Sequence, residues 1–357
     1  MTATVRRLRV PLVTLAATVA GVTSTPSAIA ALPIPPSERL EPQAEAVVRQ
    51  IAAWDAPPAH QLSTANARKL PSAAESARIV QAANGQPPAV EAVGRKRHIK
   101  IPGPGGELIA RVYKPAGEGP FPVLVYFHGG GWVIANPGVY DSSARALTNA
   151  SQHIVVSVGY RQAPENPFPA AANDAYASFR WVYRNAAALG GIPGQVAVGG
   201  ESAGGNLAAV AALMARDRGG PQPTHQLLVY PITNYAFNTP SYRQHAASIP
   251  LSRPLMRWFW RRYLERPSDG RNPYASPLRA RSLRGLPSAT VITAENDPLR
   301  SEGEAYAARL AQSGVQVDAT RYDGVMHEFF GMGAVIDDAK SAVAQAGRNL
   351  QNAAAQN

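Results

Sequence analysis

No cysteine occurs among the 357 residues. That excludes disulfides, a thiol nucleophile, thiolate metal ligands and a lipid-modified cysteine. A fold without covalent staples rests on its apolar core, and a chain of this length can bury a large one. Charge is also sparse, at 17% of residues against 45% hydrophobic, which excludes an intrinsically disordered chain. Long apolar runs are missing too. Residues 10–22 form the longest, and it is too short to span a bilayer comfortably. No internal repeat is present. These absences point to one large domain carrying a small accessory segment, rather than two independent domains.

The net charge is +11, and Arg6, Arg7 and Arg9 supply three of those charges. They precede the apolar run at 10–22, and Ala28-Ile29-Ala30 follows with small residues. This is the pattern of a secretory leader occupying residues 1–30 and cut after Ala30. A secreted or periplasmic location is expected, with a retained N-terminal anchor as the alternative. The residues around Arg6-Arg7 fit a twin-arginine signal poorly. The remaining +8 is expected to be spread along the chain, with short clusters at Arg95-Lys96-Arg97 and Arg261-Arg262. Neither cluster is interleaved with aromatics in a way that reads as a nucleic-acid surface, so both read as a solvated basic face. No nucleic-acid partner and no stable membrane insertion after leader removal are expected.

Residues 32–36 are proline-rich and read as a linker. Helical stretches at 42–54 and 72–83 follow, and residues 31–94 as a whole read as linker plus an N-terminal lid. From residue 95 to 352, strands and helices alternate. Strands are expected at 98–101 and 108–113, joined by the turn Gly103-Pro104-Gly105-Gly106, and then at 123–127, 154–158, 196–198, 227–230, 289–293 and 317–322. Helices are expected at 142–149, 170–188, 203–216, 302–313 and 334–350. Apolar strands alternating with helices predict an α/β fold with a mostly parallel central sheet covered on both faces, mixed at one edge by the hairpin. Residues 235–275 break the rhythm with no strand. Within them Ser252 is placed to cap a helix carrying Met256, Phe259, Trp260, Tyr263 and Leu264 at helical spacing. That pattern fits an ordinary core-packing helix and a lid over an acyl pocket equally well.

Gly200-Glu201-Ser202-Ala203-Gly204 follows one expected strand and opens a helix. A sharp turn there strains the serine and lifts its hydroxyl clear of the sheet, with glycines leaving room on either side. His128-Gly129-Gly130-Gly131-Trp132 follows another strand. Acyl transfer needs bare backbone N–H groups aimed at an oxyanion, so Gly130 and Gly131 are the expected donors, joined by the amide of Ala203. His128 itself reads as a structural residue at the loop base. A serine nucleophile needs a base, and the base needs an orienting acid. Among seven histidines, His327 alone lies in a loop after a late strand; His60, His98, His153, His225 and His245 read as surface or structural. Asp297 follows the strand at 289–293, with Glu295 and Glu302 as neighbouring alternatives and Asp323 too early in the His327 loop. The catalytic set is therefore Ser202, Asp297 and His327, in the chain order of α/β-hydrolases.

These motifs, together with Gly159-Tyr160-Arg161-Gln162-Ala163-Pro164-Glu165, Pro167-Phe168-Pro169-Ala170-Ala171 and Tyr274-Ala275-Ser276-Pro277-Leu278, resemble the bacterial esterases of the hormone-sensitive lipase family. The resemblance runs from about residue 42 to the last helix. It implies the α/β-hydrolase fold, a lid built from the N-terminal helices and the insertion after the sixth strand, short-chain acyl esters as substrates, and no metal or organic cofactor. The chain departs from the family at three points. Glu201 stands where an aspartate is usual, which predicts a small adjustment of the oxyanion loop. Glu328 replaces the usual glycine after the base, where it would raise the base's pKa or touch an entering substrate. Ser301 replaces an acid four residues after Asp297. Arg161 and Glu165 are expected to pair in the core. A monomer or homodimer is expected. The same fold also carries non-catalytic receptors, carbohydrate deacetylases and long-chain lipases, which the motifs alone do not separate.

Overall fold

The computed structural model describes residues 6–8, 40–87 and 90–356. The expected leader, its cleavage site and the linker at 32–36 lie outside the described residues, apart from the backbone of β1 (Arg6–Leu8).

The hairpin of β2 (Arg95–Gly103) and β3 (Gly106–Lys114) closes across Gly103 and Gly106. It is followed by β4 (Phe121–Phe127), β5 (Ile154–Val158), β6 (Gly191–Glu201), β7 (Gln226–Val229), β8 (Ala289–Asn296) and β9 (Val317–Met326). One sheet results, in the order β1-β9-β8-β7-β6-β4-β5-β3-β2. The strands from β5 to β9 in that order pair in parallel, while β3 against β5 and β1 against β9 are antiparallel. The mostly parallel sheet with a mixed edge expected from the alternating pattern is therefore present. β6 begins five residues before the expected start, because Gly191 pairs with Phe121 and Gly194 takes φ +82°, carrying the strand past Pro193.

Alternation along β4 explains the two covered faces. Val123, Val125 and Phe127 join a core with α5 (Ala170–Leu189), α6 (Ala203–Asp217) and α9 (Arg300–Gln312). Leu124 and Tyr126 join the opposite core with α4 (Asp141–Ser151) and α10 (Asp337–Ala355). The run Ala203–Ala215 of α6 is buried on every side, which its small residues permit at close interhelical distance.

Strand order sets the position of the site. β4 lies between β5 and β6, so the chain leaves β4 towards one side of the sheet and returns to the other. At such a reversal the loops after neighbouring strands diverge and leave a crevice. Phe127 pairs with Gly200, which brings the loop after β4 beside the turn after β6.

Three N-terminal helices lie between β1 and β2: α1 (Pro42–Ala52), α2 (Thr64–Ala67) and α3 (Ala73–Ala83). Ser72 and Glu75 form a capping box at α3. Glu41 N–H donates to the Gly324 carbonyl at 2.8 Å, tying α1 to β9. Residues 235–275 hold α7 (Pro240–Gln244), α8 (Arg253–Tyr263) and a 3-10 turn, and no strand among the described residues. The Ser252 hydroxyl caps α8 at the Leu255 amide. Arg262 of α8 donates to the Thr64 hydroxyl at 2.9 Å and Trp258 to the Leu62 carbonyl at 3.4 Å, so insertion and N-terminal segment touch.

Two expectations are corrected. Arg161 does not pair with Glu165: it grips the fully buried Asp174 of α5, at 2.7 Å through Nη2, while Glu165 faces Arg68 at 2.7 Å. Asp174 accepts from Arg161 through both oxygens, whereas the Glu165 side chain is more than half exposed. The positive charge is not spread either. Residues 235–284 hold ten arginines against Glu265 and Asp269, a net +8 that equals the whole excess beyond the first thirty residues. Arg257 and Arg261 lie exposed, one turn apart on α8, because its other side is buried through Met256, Phe259, Trp260 and Tyr263.

Candidate active site

β6 runs directly into Ser202, which takes φ +57° and ψ −116°, and α6 starts at the next residue. This backbone conformation is unfavourable for a side-chain-bearing residue and persists only when its surroundings hold it. Here the Ser202 amide donates to the Val229 carbonyl at 2.9 Å, while its carbonyl accepts from Asn206 and Ile232. The flanking glycines are required by space: a Cβ on Gly204 would run into the Phe127 carbonyl, and one on Gly200 would meet both Gly204 and Phe127. Asn206, unremarked in the sequence, braces the turn further through its side-chain amide to Ile232 and Ala275.

Three side chains from separate loops meet at this turn. His327 Nε2 is 3.0 Å from Ser202 Oγ, and His327 Nδ1 is 2.6 Å from Asp297 Oδ2. The other Asp297 oxygen accepts from the Leu299 amide at 2.8 Å, which fixes the carboxylate plane. Ser202, Asp297 and His327 are 4%, 0% and 3% exposed. Burial works against a charged His327, but Asp297 through charge and hydrogen bond, then Glu328 and Glu201, outweigh it and raise its pKa above the ordinary histidine range.

Gly130 and Gly131 take φ +92° and +58°. A Cβ on Gly130 would collide with the Ile134 carbonyl, and one on Gly131 with the ring of Phe259 from α8. Their amides and that of Ala203 donate to no backbone carbonyl among the described residues. Ala203 also heads α6, where the helix dipole favours negative charge. His128 lies below this loop, with Nδ1 2.8 Å from the Gly129 carbonyl and its ring stacked on Tyr160. Burial pulls its pKa down to about 4, so it is held neutral and structural, as the sequence implied.

The neighbouring acids are occupied elsewhere. Glu295 accepts from the Gly324 amide, Glu302 from the Thr233 and Asn234 amides, and Asp323 from Arg321. Ser301 accepts from the Ser241 amide. Three tyrosines escaped notice in the sequence. Tyr126 and Tyr230 both donate to the buried carboxyl of Glu201, and Tyr140 donates to Glu328. Burial, followed by the charge of Glu328, pushes Glu201 up to about 7. Strand alternation places Tyr126 on one face of the sheet, but nothing in the sequence pairs it with Glu201.

A family described by its alpha/beta hydrolase fold matches residues 124–331. The carboxylic ester hydrolase LipN of Mycobacterium tuberculosis is 42% identical over 240 residues, covering 66% of this chain and 64% of its own length. The carboxylesterase NlhH of the same organism is 41% identical over 248 residues, covering 68% of this chain and 77% of its own. The hyperthermophilic esterase from Pyrobaculum calidifontis superposes with a TM-score of 0.81 at 40% identity, over 88% of this chain and 99% of that one. The chain belongs to the hormone-sensitive lipase type of the α/β-hydrolases and is a carboxylic ester hydrolase.

Proposed function

We propose that the chain hydrolyses short-chain acyl esters by two-step acyl transfer through Ser202, His327 and Asp297. The observation that carries this reading is the unbroken contact from Asp297 to His327 to Ser202 Oγ, at 2.6 and 3.0 Å. Ser202 Oγ bonds to the ester carbonyl carbon as its proton passes to His327 Nε2. The carbonyl oxygen becomes an oxyanion, taken up by the amides of Gly130, Gly131 and Ala203. The intermediate collapses, breaking the bond to the alcohol oxygen, which takes the proton from His327. A water then attacks the acyl-enzyme with His327 again as base, releasing the acid and restoring Ser202.

The short-chain preference is supported by Phe259, whose ring abuts Gly131 and limits space beside the oxyanion amides. The ethyl acetate hydrolase of Pseudomonas putida, 34% identical over 251 residues, bears a short ester in its name. α8 with the N-terminal helices forms a lid over the site, supported by the Arg262–Thr64 and Trp258–Leu62 contacts. Export rests on the leader pattern in residues 1–30, and N-terminal sequencing of the protein recovered outside the cytoplasm tests it. Ser202→Ala abolishes turnover of p-nitrophenyl butyrate and labelling by a fluorophosphonate; near-wild-type activity in that variant defeats the assignment.

A further inference from the structure

Glu328 holds a backbone φ of +74°, a conformation that suits glycine and strains a residue with a side chain. Its carboxylate is not given to solvent. Both oxygens accept from the Tyr140 hydroxyl, at 2.7 and 2.8 Å, and the side chain is 22% exposed. Glu328 Oε1 stands 3.9 Å from His327 Nε2, the same nitrogen that faces Ser202 Oγ at 3.0 Å. That separation is too long for a hydrogen bond and short enough for a strong charge interaction across a largely buried site.

We propose that Glu328, anchored by Tyr140, is a positioning residue that holds negative charge beside His327 Nε2 and stabilises the imidazolium formed when Ser202 gives up its proton. This rests on the acyl-transfer reading of Ser202 and His327. Asp297 serves the Nδ1 side of the ring and Glu328 the Nε2 side, so the cation forms between two carboxylates. Tyr140 keeps the second one from doing harm. By holding both oxygens it stops the carboxylate from closing on Nε2 and competing with Ser202 for the proton. Its hydroxyl is itself confined, since a Cβ on Gly129 of the oxyanion loop would strike it.

The groups facing this pair are few. Glu201 lies behind, bound by Tyr126 and Tyr230, and the Tyr230 ring is 4.5 Å from that of His327. Burial keeps all three tyrosines protonated as donors and keeps His128, 6.0 Å from Tyr140 between rings, neutral. Burial raises the pKa of Glu328 itself, while the charge of His327 and the Tyr140 hydroxyl pull it back down, so His327, Glu201 and Glu328 titrate as a coupled set, with Asp297 on the far side. Removing the charge of Glu328 lets Glu201 ionise more readily and return part of what was lost.

The test compares wild type, Glu328→Gln, Glu328→Gly and the double variant Glu201→Gln/Glu328→Gln. Gln still accepts from Tyr140 but carries no charge; Gly suits the backbone and carries neither charge nor hydrogen bond. With less negative charge nearby the base loses its proton at lower pH. The acid limb of kcat/KM for p-nitrophenyl butyrate therefore moves down by about half a unit to one unit in both single variants, and further in the double variant. The imidazole titration of His327, followed by NMR in the resting protein, moves by the same amount and needs no turnover. A purely structural tie predicts lower activity with the limb and the NMR titration unmoved in Glu328→Gln, and that result overturns the proposal. Activity persisting in Ser202→Ala defeats the acyl-transfer reading instead, and the NMR shift still decides whether Glu328 bears on His327.

Discussion

The ring of Phe259 on α8 lies so close to Gly131 that a single methyl group on that glycine would enter it. One residue belongs to the insertion and the other to the glycine loop after β4, so the insertion packs directly against that loop. Gly131→Ala must displace either the ring or the loop, and Gly131 also holds φ +58°, which alanine resists. Its kcat/KM for p-nitrophenyl butyrate is expected to fall by about 10²-fold, the scale of one misplaced oxyanion donor. If the collision is the larger cause, Gly131→Ala/Phe259→Ala recovers at least part of that loss. A double variant no better than Gly131→Ala assigns the effect to the backbone alone.

Phe259→Ala on its own empties the space beside the oxyanion amides. Longer acyl chains then gain relative to acetate, each added methylene contributing about 0.8 kcal/mol where it is fully buried. The ratio of kcat/KM for the octanoyl over the acetyl p-nitrophenyl ester is expected to rise by about tenfold or more. An unchanged ratio places the acyl chain elsewhere.

Strand and helix order, the serine turn, the glycine loop and the three residues that meet at Ser202 were legible because each depends on local chemistry that leaves a mark in the sequence. A strained turn demands glycines at 200 and 204, and a bare amide demands them at 130 and 131. Contacts made across the fold leave no such mark. Sequence proximity matches Arg161 with Glu165, whereas topology delivers Asp174 from the next helix. Nothing in the sequence links Tyr126, Tyr140 and Tyr230, whose hydroxyls converge on Glu201 and Glu328 only once the sheet and its loops assemble. Glu328 stands out in the sequence as a departure, but its direction, towards Tyr140 and not outward, depends on the left-handed turn that the backbone makes there.

Asp297 is expected to act through its charge and not only its shape. Asn in its place has one oxygen for two contacts: kept on the Leu299 amide, it leaves the NH2 group facing His327 Nδ1, and turned to His327 it presents an uncharged oxygen there and loses the Leu299 bond. The wrong tautomer is then favoured and the imidazolium loses its main partner, so kcat falls by about 10³–10⁴-fold. The thermal midpoint of Asp297→Asn should stay near that of wild type, since the residue fills the same buried space. A loss below tenfold transfers the role to another acid.

His225 carries the last expectation, on stability. It is buried at the start of β7, with Nδ1 2.8 Å from the Ser288 hydroxyl and Nε2 2.9 Å from the Thr290 hydroxyl. Burial first, then the nearby charge of His153, lowers its pKa to about 4. The unfolded chain binds a proton at about 6.5 that the folded protein refuses until near 4. This contribution to stability is complete above the unfolded pKa and drains away as the pH falls from there towards 4. His128 and His153, also lowered to about 4, act in the same direction. Glu201, raised to about 7, acts in the opposite one, because the folded state takes up its proton first as the pH drops. His225→Gln, which retains a donor and an acceptor, should therefore lose thermal midpoint less steeply than wild type between pH 6.5 and pH 4. Calorimetric midpoints of the two proteins across that range decide it: parallel curves mean that His225 takes up its proton alike in both states.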